Sequence, residues 1–198
     1  MGEARDSRER IVESAEAVFG ERGFSKSTLE DIATAAGVSR QLVHRYYGDK
    51  TQLFEVVVRR VQGAWNRVLV EEAERPAPSA AHTLRLIIRR SFRFAAERGS
   101  LYGIYGAETQ VVSAEIGEVL AEGALKLHAV ICEVLEAGIS RGEVRGDLDV
   151  RVLAEVIREA ISSYSLQILS SRPPRISSQR AEAIVEVLLH GAIVPPGR

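Results

Sequence analysis

Apolar residues recur every three or four positions along most of the chain, and this spacing places them on one side of an α-helix. One such stripe near the start is expected to end at Gly23, and its members are Ile11, Val12, Ala15, Val18 and Phe19. A longer stripe begins near Lys50 and continues until Pro76 and Pro78 interrupt it. No segment shows the sustained alternation of apolar and polar residues that is typical of a strand. The pattern therefore predicts an all-α fold.

Residues 28–47 lie between these two stripes and have the pattern of two short helices joined by a glycine turn. Thr28 is expected to cap the first helix, with Asp31 three positions later, which is close to a capping box. Gly37 is expected to end that helix, and Ser39 to cap the next one. Two short helices held at an angle by such a turn form a helix-turn-helix.

The second helix of this pair is predicted to have an inward and an outward side. Val43 and Tyr47, four residues apart, are expected to face the core. The second helix of such a unit lies in the major groove of DNA, where arginine and glutamine side chains pair with purine edges. The outward side suits that groove, since it carries Arg40, Gln41, His44 and Arg45.

Neighbouring side chains suit the DNA backbone rather than the bases. We expect Arg45, Tyr46 and Lys50 to bind phosphates, and Thr28 to bring a helix N-terminus that attracts an anion. Leu42 lies at the edge of the outward side, where it either closes the core or contacts a thymine methyl group. The full set of candidate DNA-binding residues is Thr28, Ser39, Arg40, Gln41, Leu42, His44, Arg45, Tyr46 and Lys50.

An ordinary helical hairpin with a solvated, mildly basic face would show the same local pattern. The wider sequence favours the DNA-binding interpretation, because it resembles the N-terminal domain of the tetracycline-repressor (TetR) family of bacterial transcription regulators. The matching positions are Ile11, Ala15, Phe19, Gly23, Phe24, Thr28, Ile32, Ala33, Ala36, Gly37, Val38, Ser39, Val43, Arg45, Tyr47, Lys50, Leu53 and Phe54. Gln41 stands where that family commonly has a small residue, and His44 where it commonly has a tyrosine. The operator sequence of a relative is therefore not transferred to this chain.

The rest of the chain predicts further helices, separated by glycines and prolines. We predict a three-helix DNA-binding domain over residues 1–50 and a larger helical domain over residues 51–198. The resemblance implies that the larger domain binds a small-molecule effector and forms dimers. Aromatic residues with scattered polar groups suit an apolar effector pocket, although each is alternatively a core or surface residue. The pocket candidates are Trp65, Phe92, Tyr102, Tyr105, Glu108, Gln110, His128, Tyr164 and Gln167.

The last two predicted helices carry more apolar surface than a single stripe needs. In the family resembled, the final pair of helices packs against its mate as a four-helix dimer interface. Two recognition helices would then lie about one DNA turn, ~34 Å, apart. The alternative is that the whole surface is core within one chain. The dimer-interface candidates are Leu153, Val156, Ile157, Ala160, Ile161, Ile184, Val185, Leu188 and Leu189.

Composition and charge restrict the class of protein further. A formal net charge of -1 argues against a protein that coats nucleic acid indiscriminately, and positive charge is concentrated between Val38 and Lys50. The single cysteine, Cys132, excludes an intramolecular disulfide and every multi-cysteine zinc pattern. We expect it to be a small buried residue in a reducing cytoplasm, the alternative being a redox-sensing thiol. The sequence shows neither a signal peptide nor a membrane span.

The sequence gives little support for an enzyme active site. The four histidines lie far apart and form no metalloprotease motif or phosphate loop, although His128 and Glu108 would suffice for an acid–base pair or a metal site if they met. We expect no enzymatic activity, no cofactor and no metal. The sequence thus predicts a cytoplasmic, ligand-responsive regulator, most simply a repressor, that binds a palindromic double-stranded DNA operator as a homodimer. The alternatives are a helical protein-interaction adaptor and a helical enzyme.

Overall fold

The computed structural model describes residues 2–97, 112–171 and 175–192. Within these residues there are eight helices and no strand, which confirms the predicted all-α fold. The helices are α1 (Gly2–Arg22), α2 (Leu29–Ala36), α3 (Arg40–Tyr47), α4 (Lys50–Glu74), α5 (Ala80–Glu97), α6 (Ala114–Ser140), α7 (Val150–Ser170) and α8 (Ser178–Ala192). Helix α1 ends at Arg22, directly before the predicted stop at Gly23.

The described residues form two compact units. The first contains residues 2–63 and 112–121, and the second contains residues 64–97, 122–171 and 175–192. Helices α4 and α6 each contribute residues to both units. The separate domains 1–50 and 51–198 remain a prediction.

A cluster of three phenylalanines anchors the first unit. The ring of Phe19 in α1 meets that of Phe54 in α4 edge to face, with centroids 4.8 Å apart, and Phe24 lies 5.0 Å from Phe54. Ile32 of α2 and Val43 of α3 are completely buried. Each of the three N-terminal helices and the start of α4 therefore contributes apolar side chains to a core, and burial of this kind is the main stabilising contribution to such a fold.

In the second unit, α5 packs along α7 and also contacts α8. The rings of Phe92 and Tyr164 meet edge to face at 4.7 Å, and Tyr164 is almost fully buried. Its hydroxyl accepts a hydrogen bond from the Ser177 amide at 3.1 Å, so the buried phenol retains a polar partner. On the surface, Arg85 lies 2.6 Å from carboxylate oxygens of both Glu182 and Glu186. These contacts hold α8 against α5.

Candidate nucleic-acid interface

The N-terminus of α2 has the predicted capping box. The Thr28 hydroxyl accepts a hydrogen bond from the Asp31 amide at 3.1 Å, and the Asp31 carboxylate accepts one from the Thr28 amide at 3.0 Å. Hydrogen bonding by the Thr28 side chain, aided by Arg22 at 2.9 Å, lowers the pKa of Asp31 from its ordinary value. These hydrogen bonds fix the residues from Thr28 to Asp31, and the start of α2 lies at the protein surface.

The turn between α2 and α3 depends on Gly37. Its φ of 65° lies in the left-handed region, and Val38 donates a hydrogen bond to the Ala33 carbonyl at 3.0 Å. A Cβ at Gly37 would meet nothing within 4 Å, so backbone conformation rather than space requires glycine here. Ser39 then caps α3 by accepting a hydrogen bond from the Leu42 amide at 3.2 Å. The turn is thus specified by local sequence, as predicted.

Helix α3 presents its polar side chains on one exposed surface. Val43 is completely buried, and Leu42 is half-buried, so Leu42 lies at the margin of the core. Tyr47, predicted to face inward, is half-buried and donates a hydrogen bond from its hydroxyl to the Arg8 carbonyl at 3.0 Å. The predicted outward residues do lie together, along a shallow groove of about 830 Å³ lined by Glu30, Val38, Ser39, Arg40, Gln41, His44 and Arg45.

A second depression, of about 440 Å³, lies beside the start of α2 and includes Lys50. The Lys50 ammonium donates hydrogen bonds to the carbonyls of Phe24 and Ser27, both at 3.0 Å, and lies 4.3 Å from the centroid of the Phe24 ring. Two of its three N–H groups are therefore committed to the backbone, leaving one for a phosphate. Lys50 remains a predicted phosphate contact, and the structure adds a role in holding the segment that precedes α2.

Glu30 is a residue of this surface that the sequence analysis missed. Its exposed carboxylate lines both grooves, as does Arg40. A negative charge among candidate DNA-binding cations opposes phosphate and favours a donor such as the cytosine amino group. Its position in the first turn of α2, beside the capping Thr28, was the available signal.

The predicted effector-pocket residues divide into three groups. Tyr102, Tyr105, Glu108 and Gln110 lie outside the described residues. Phe92 and Tyr164 are in contact within the second unit. Trp65 packs on Phe94 at 5.0 Å, Gln167 is exposed, and His128 lies 3.0 Å from the Arg151 carbonyl. The pocket assignment remains a prediction.

The predicted dimer-interface residues differ widely in exposure. Four of them are buried and belong to the core of the protomer: Ile157, Ile161, Val185 and Leu189. Leu153, Ala160, Ile184 and Leu188 are half-buried, whereas Val156 is 51% exposed. The same two helices also expose the apolar residues Val152, Leu166 and Val187. The interface itself remains a prediction.

Other candidate chemistry is sparse in the part of the chain that the structure describes. No group of three or more potential metal-ligating side chains occurs there, and none of its helices is long and apolar enough to cross a membrane. Cys132 was predicted to be buried, but it is half-buried, because it lies toward the margin of α6's apolar stripe. Its sulfur lies 3.9 Å from the His128 ring nitrogens, and burial raises the pKa of the thiol.

The capped helix pair and the polar surface of α3 define a helix-turn-helix DNA-binding protein. The family model for bacterial regulatory proteins of the tetR family matches residues 11–57. The HTH-type transcriptional repressor BepR of Brucella suis is 26% identical over 167 residues, covering 82% of this chain and 80% of the relative. The probable acrEF/envCD operon repressor of Escherichia coli is 28% identical over 199 residues, covering 94% and 87%.

A solved structure with a similar fold is that of the transcriptional regulator FadR from Bacillus subtilis in complex with stearoyl-CoA. It has a TM-score of 0.80 and 22% identity, and the match covers 93% of this chain and 98% of FadR. Residues 11–57 therefore match the tetR family of bacterial regulatory proteins, and most of the chain is similar to transcriptional regulators.

Proposed function

We propose that this chain is a ligand-responsive transcriptional repressor that acts in the cytoplasm and binds a palindromic operator as a homodimer. The observation that carries the proposal is the exposed surface of α3, where Arg40, Gln41, His44 and Arg45 line one groove of a tightly capped helix-turn-helix. A helical adaptor would need no such set of purine-reading and phosphate-binding side chains on a helix of eight residues.

The side chains of α3 have distinct roles in this proposal. Arg40 and Gln41 enter the major groove and hydrogen-bond to base edges, because guanidinium and amide groups match the acceptors and donors of purines. Arg45 and Tyr46 bind phosphates and set the register of the helix. His44 donates to a phosphate from a ring nitrogen. The N-terminus of α2 at Thr28 contributes backbone amides to a neighbouring phosphate.

Dimerisation through α7 and α8 explains their exposed apolar residues. Val187 is 74% exposed and Val156 is 51% exposed in the single chain. Covering such residues with a second copy removes apolar surface from water. A two-fold axis between the copies gives two antiparallel half-sites, so the operator is a palindrome.

A small-molecule effector would act by shifting a conformational equilibrium. DNA favours one spacing of the two recognition helices, and an effector that favours another releases DNA in proportion to its differential affinity. The support is the match of residues 11–57 to the tetR family model, together with a structural relative solved with stearoyl-CoA.

Selection of bound fragments from a random DNA pool tests the proposal. The purified full-length protein should enrich one palindromic sequence, and its affinity for that sequence should fall steeply as salt rises. Failure to enrich any sequence at low salt, with a folded dimer and no copurified ligand, would refute it. The apolar surface of α7 and α8 would then become the leading clue to function, as expected for an adaptor.

A further inference from the structure

A second arginine reaches the edge of the α3 surface from another helix. The guanidinium carbon of Arg8, in α1, lies 4.7 Å from the centroid of the Tyr46 ring. The guanidinium carbon of Arg45 lies 5.3 Å from the same centroid. One tyrosine therefore holds two cations, and only one of them belongs to the helix-turn-helix.

The backbone fixes Arg8 independently of its own side chain. The Tyr47 hydroxyl donates a hydrogen bond to the Arg8 carbonyl at 3.0 Å, which joins α1 to the end of α3. Replacing the Arg8 side chain leaves this carbonyl and its hydrogen bond in place. Tyr46 and Tyr47 thus position Arg8 in two separate ways, one through the ring and one through the main chain.

The positive charge of Arg8 is not neutralised by a salt bridge among the described residues. Among the described residues, no carboxylate lies within salt-bridge distance of its exposed guanidinium. Arg10, two positions further along α1, has a partner in Asp6 at 3.4 Å. A guanidinium stacked on a ring keeps its N–H donors free at the edge of its plane, which is the arrangement that binds phosphate oxygens in pairs.

We infer that Arg8 is a DNA phosphate contact outside the helix-turn-helix, and that it forms with Tyr46 and Arg45 one phosphate-binding cluster. The inference rests on the proposed DNA-binding function. The cluster extends the footprint of each protomer beyond the bases read by α3, onto the backbone facing the start of α1. Since phosphate contacts carry no sequence information, the effect on affinity should be the same for every DNA sequence.

Salt titration of DNA binding separates this role from others. Fluorescently labelled duplexes carrying the selected operator or a scrambled sequence are titrated with wild type, Arg8→Ala, Arg8→Lys and Arg10→Ala at several salt concentrations. Each phosphate neutralised contributes about 0.9 to the slope of log affinity against log salt. Each Arg8→Ala dimer loses two such contacts, so the affinity advantage of wild type should shrink about 12-fold between roughly 50 and 200 mM salt, on both duplexes. Arg8→Lys should retain the wild-type slope, because it keeps the cation.

Arg10→Ala is the matched control, because it removes one positive charge from the same helix away from Tyr46. If Arg8→Ala changes the slope no more than Arg10→Ala does, the inference is overturned. A loss confined to the operator would also overturn it, since that pattern indicates base reading. If wild type binds neither duplex at low salt, the proposed function itself fails, which is a separate result. Thermal unfolding of Arg8→Ala should match that of wild type.

Discussion

Replacing Lys50 by methionine tests what this residue does before any DNA is present. Methionine keeps the length of the apolar stem but removes the hydrogen bonds to the Phe24 and Ser27 carbonyls, each 3.0 Å long. A hydrogen bond to a charged group contributes about 1.5–3 kcal/mol. Lys50 is half-buried, so hydrogen bonds to water replace part of the two that are lost. We therefore expect the free energy of local unfolding of the segment that precedes α2 to fall by about 2 kcal/mol.

Amide hydrogen exchange of the full-length protein measures the free energy of local unfolding in this segment. A loss of about 2 kcal/mol corresponds to roughly 30-fold faster exchange of amides that open with this segment. Lys26→Met is the control, because Lys26 is an exposed lysine of the same connection. If Lys50→Met exchanged no faster than Lys26→Met between Phe24 and Ala36, the two hydrogen bonds would have no stabilising role. Its effect on DNA binding would then belong to phosphate contact alone.

Three further predictions concern charge and the dimer. The pKa of Asp31 is lowered in the folded chain, so the ionised carboxylate stabilises the fold above the unfolded pKa of 3.8, and this contribution is lost as the pH falls through the folded pKa. The thermal unfolding temperature of Asp31→Asn should therefore differ from that of wild type near neutral pH. A difference that persisted in strong acid would contradict this. Glu30→Gln should raise affinity for a scrambled duplex about twofold to fivefold at low salt, and unchanged affinity would remove its repulsive role. Val187→Asp should raise the dimer dissociation constant at least ~10-fold in sedimentation experiments, with Val56→Asp as the exposed control, and an intact dimer would show that the interface lies elsewhere.

The local features of the interface were predictable because they depend on neighbours in sequence. The capping box at Thr28, the turn at Gly37 and the cap at Ser39 each involve residues within five positions of one another. The inward position of Val43 followed from helical periodicity alone. Such features need no knowledge of the rest of the fold.

The contacts of Lys50 and Arg8 were not predictable, because tertiary packing creates them. Lys50 bonds to carbonyls 23 and 26 residues away, and Tyr47 reaches the Arg8 carbonyl across 39 residues. Helical periodicity places a residue on a face but does not say which other element approaches that face. These contacts form only where α1, the segment before α2, α3 and α4 pack together.

The dimer candidates illustrate the same limit in the second unit. A broad apolar stripe on α7 includes both Val156 and Ile157, and the sequence assigned both to the interface. The structure buries Ile157 completely within the protomer and leaves Val156 half exposed. Sequence therefore predicts the excess of apolar surface, but not which apolar residues are buried within the protomer and which stay exposed.

Binding-site logos of variants test most directly whether the exposed side of α3 reads the operator. Logos are derived by selection from one random DNA pool with wild type, Arg40→Ala, Gln41→Ala and Arg45→Ala. Arg40→Ala and Gln41→Ala should each lose preference at particular bases, at mirrored positions of the two half-sites, whereas Arg45→Ala should weaken binding and keep the logo. Logos for Arg40→Ala and Gln41→Ala that are identical to the wild-type logo would contradict the account.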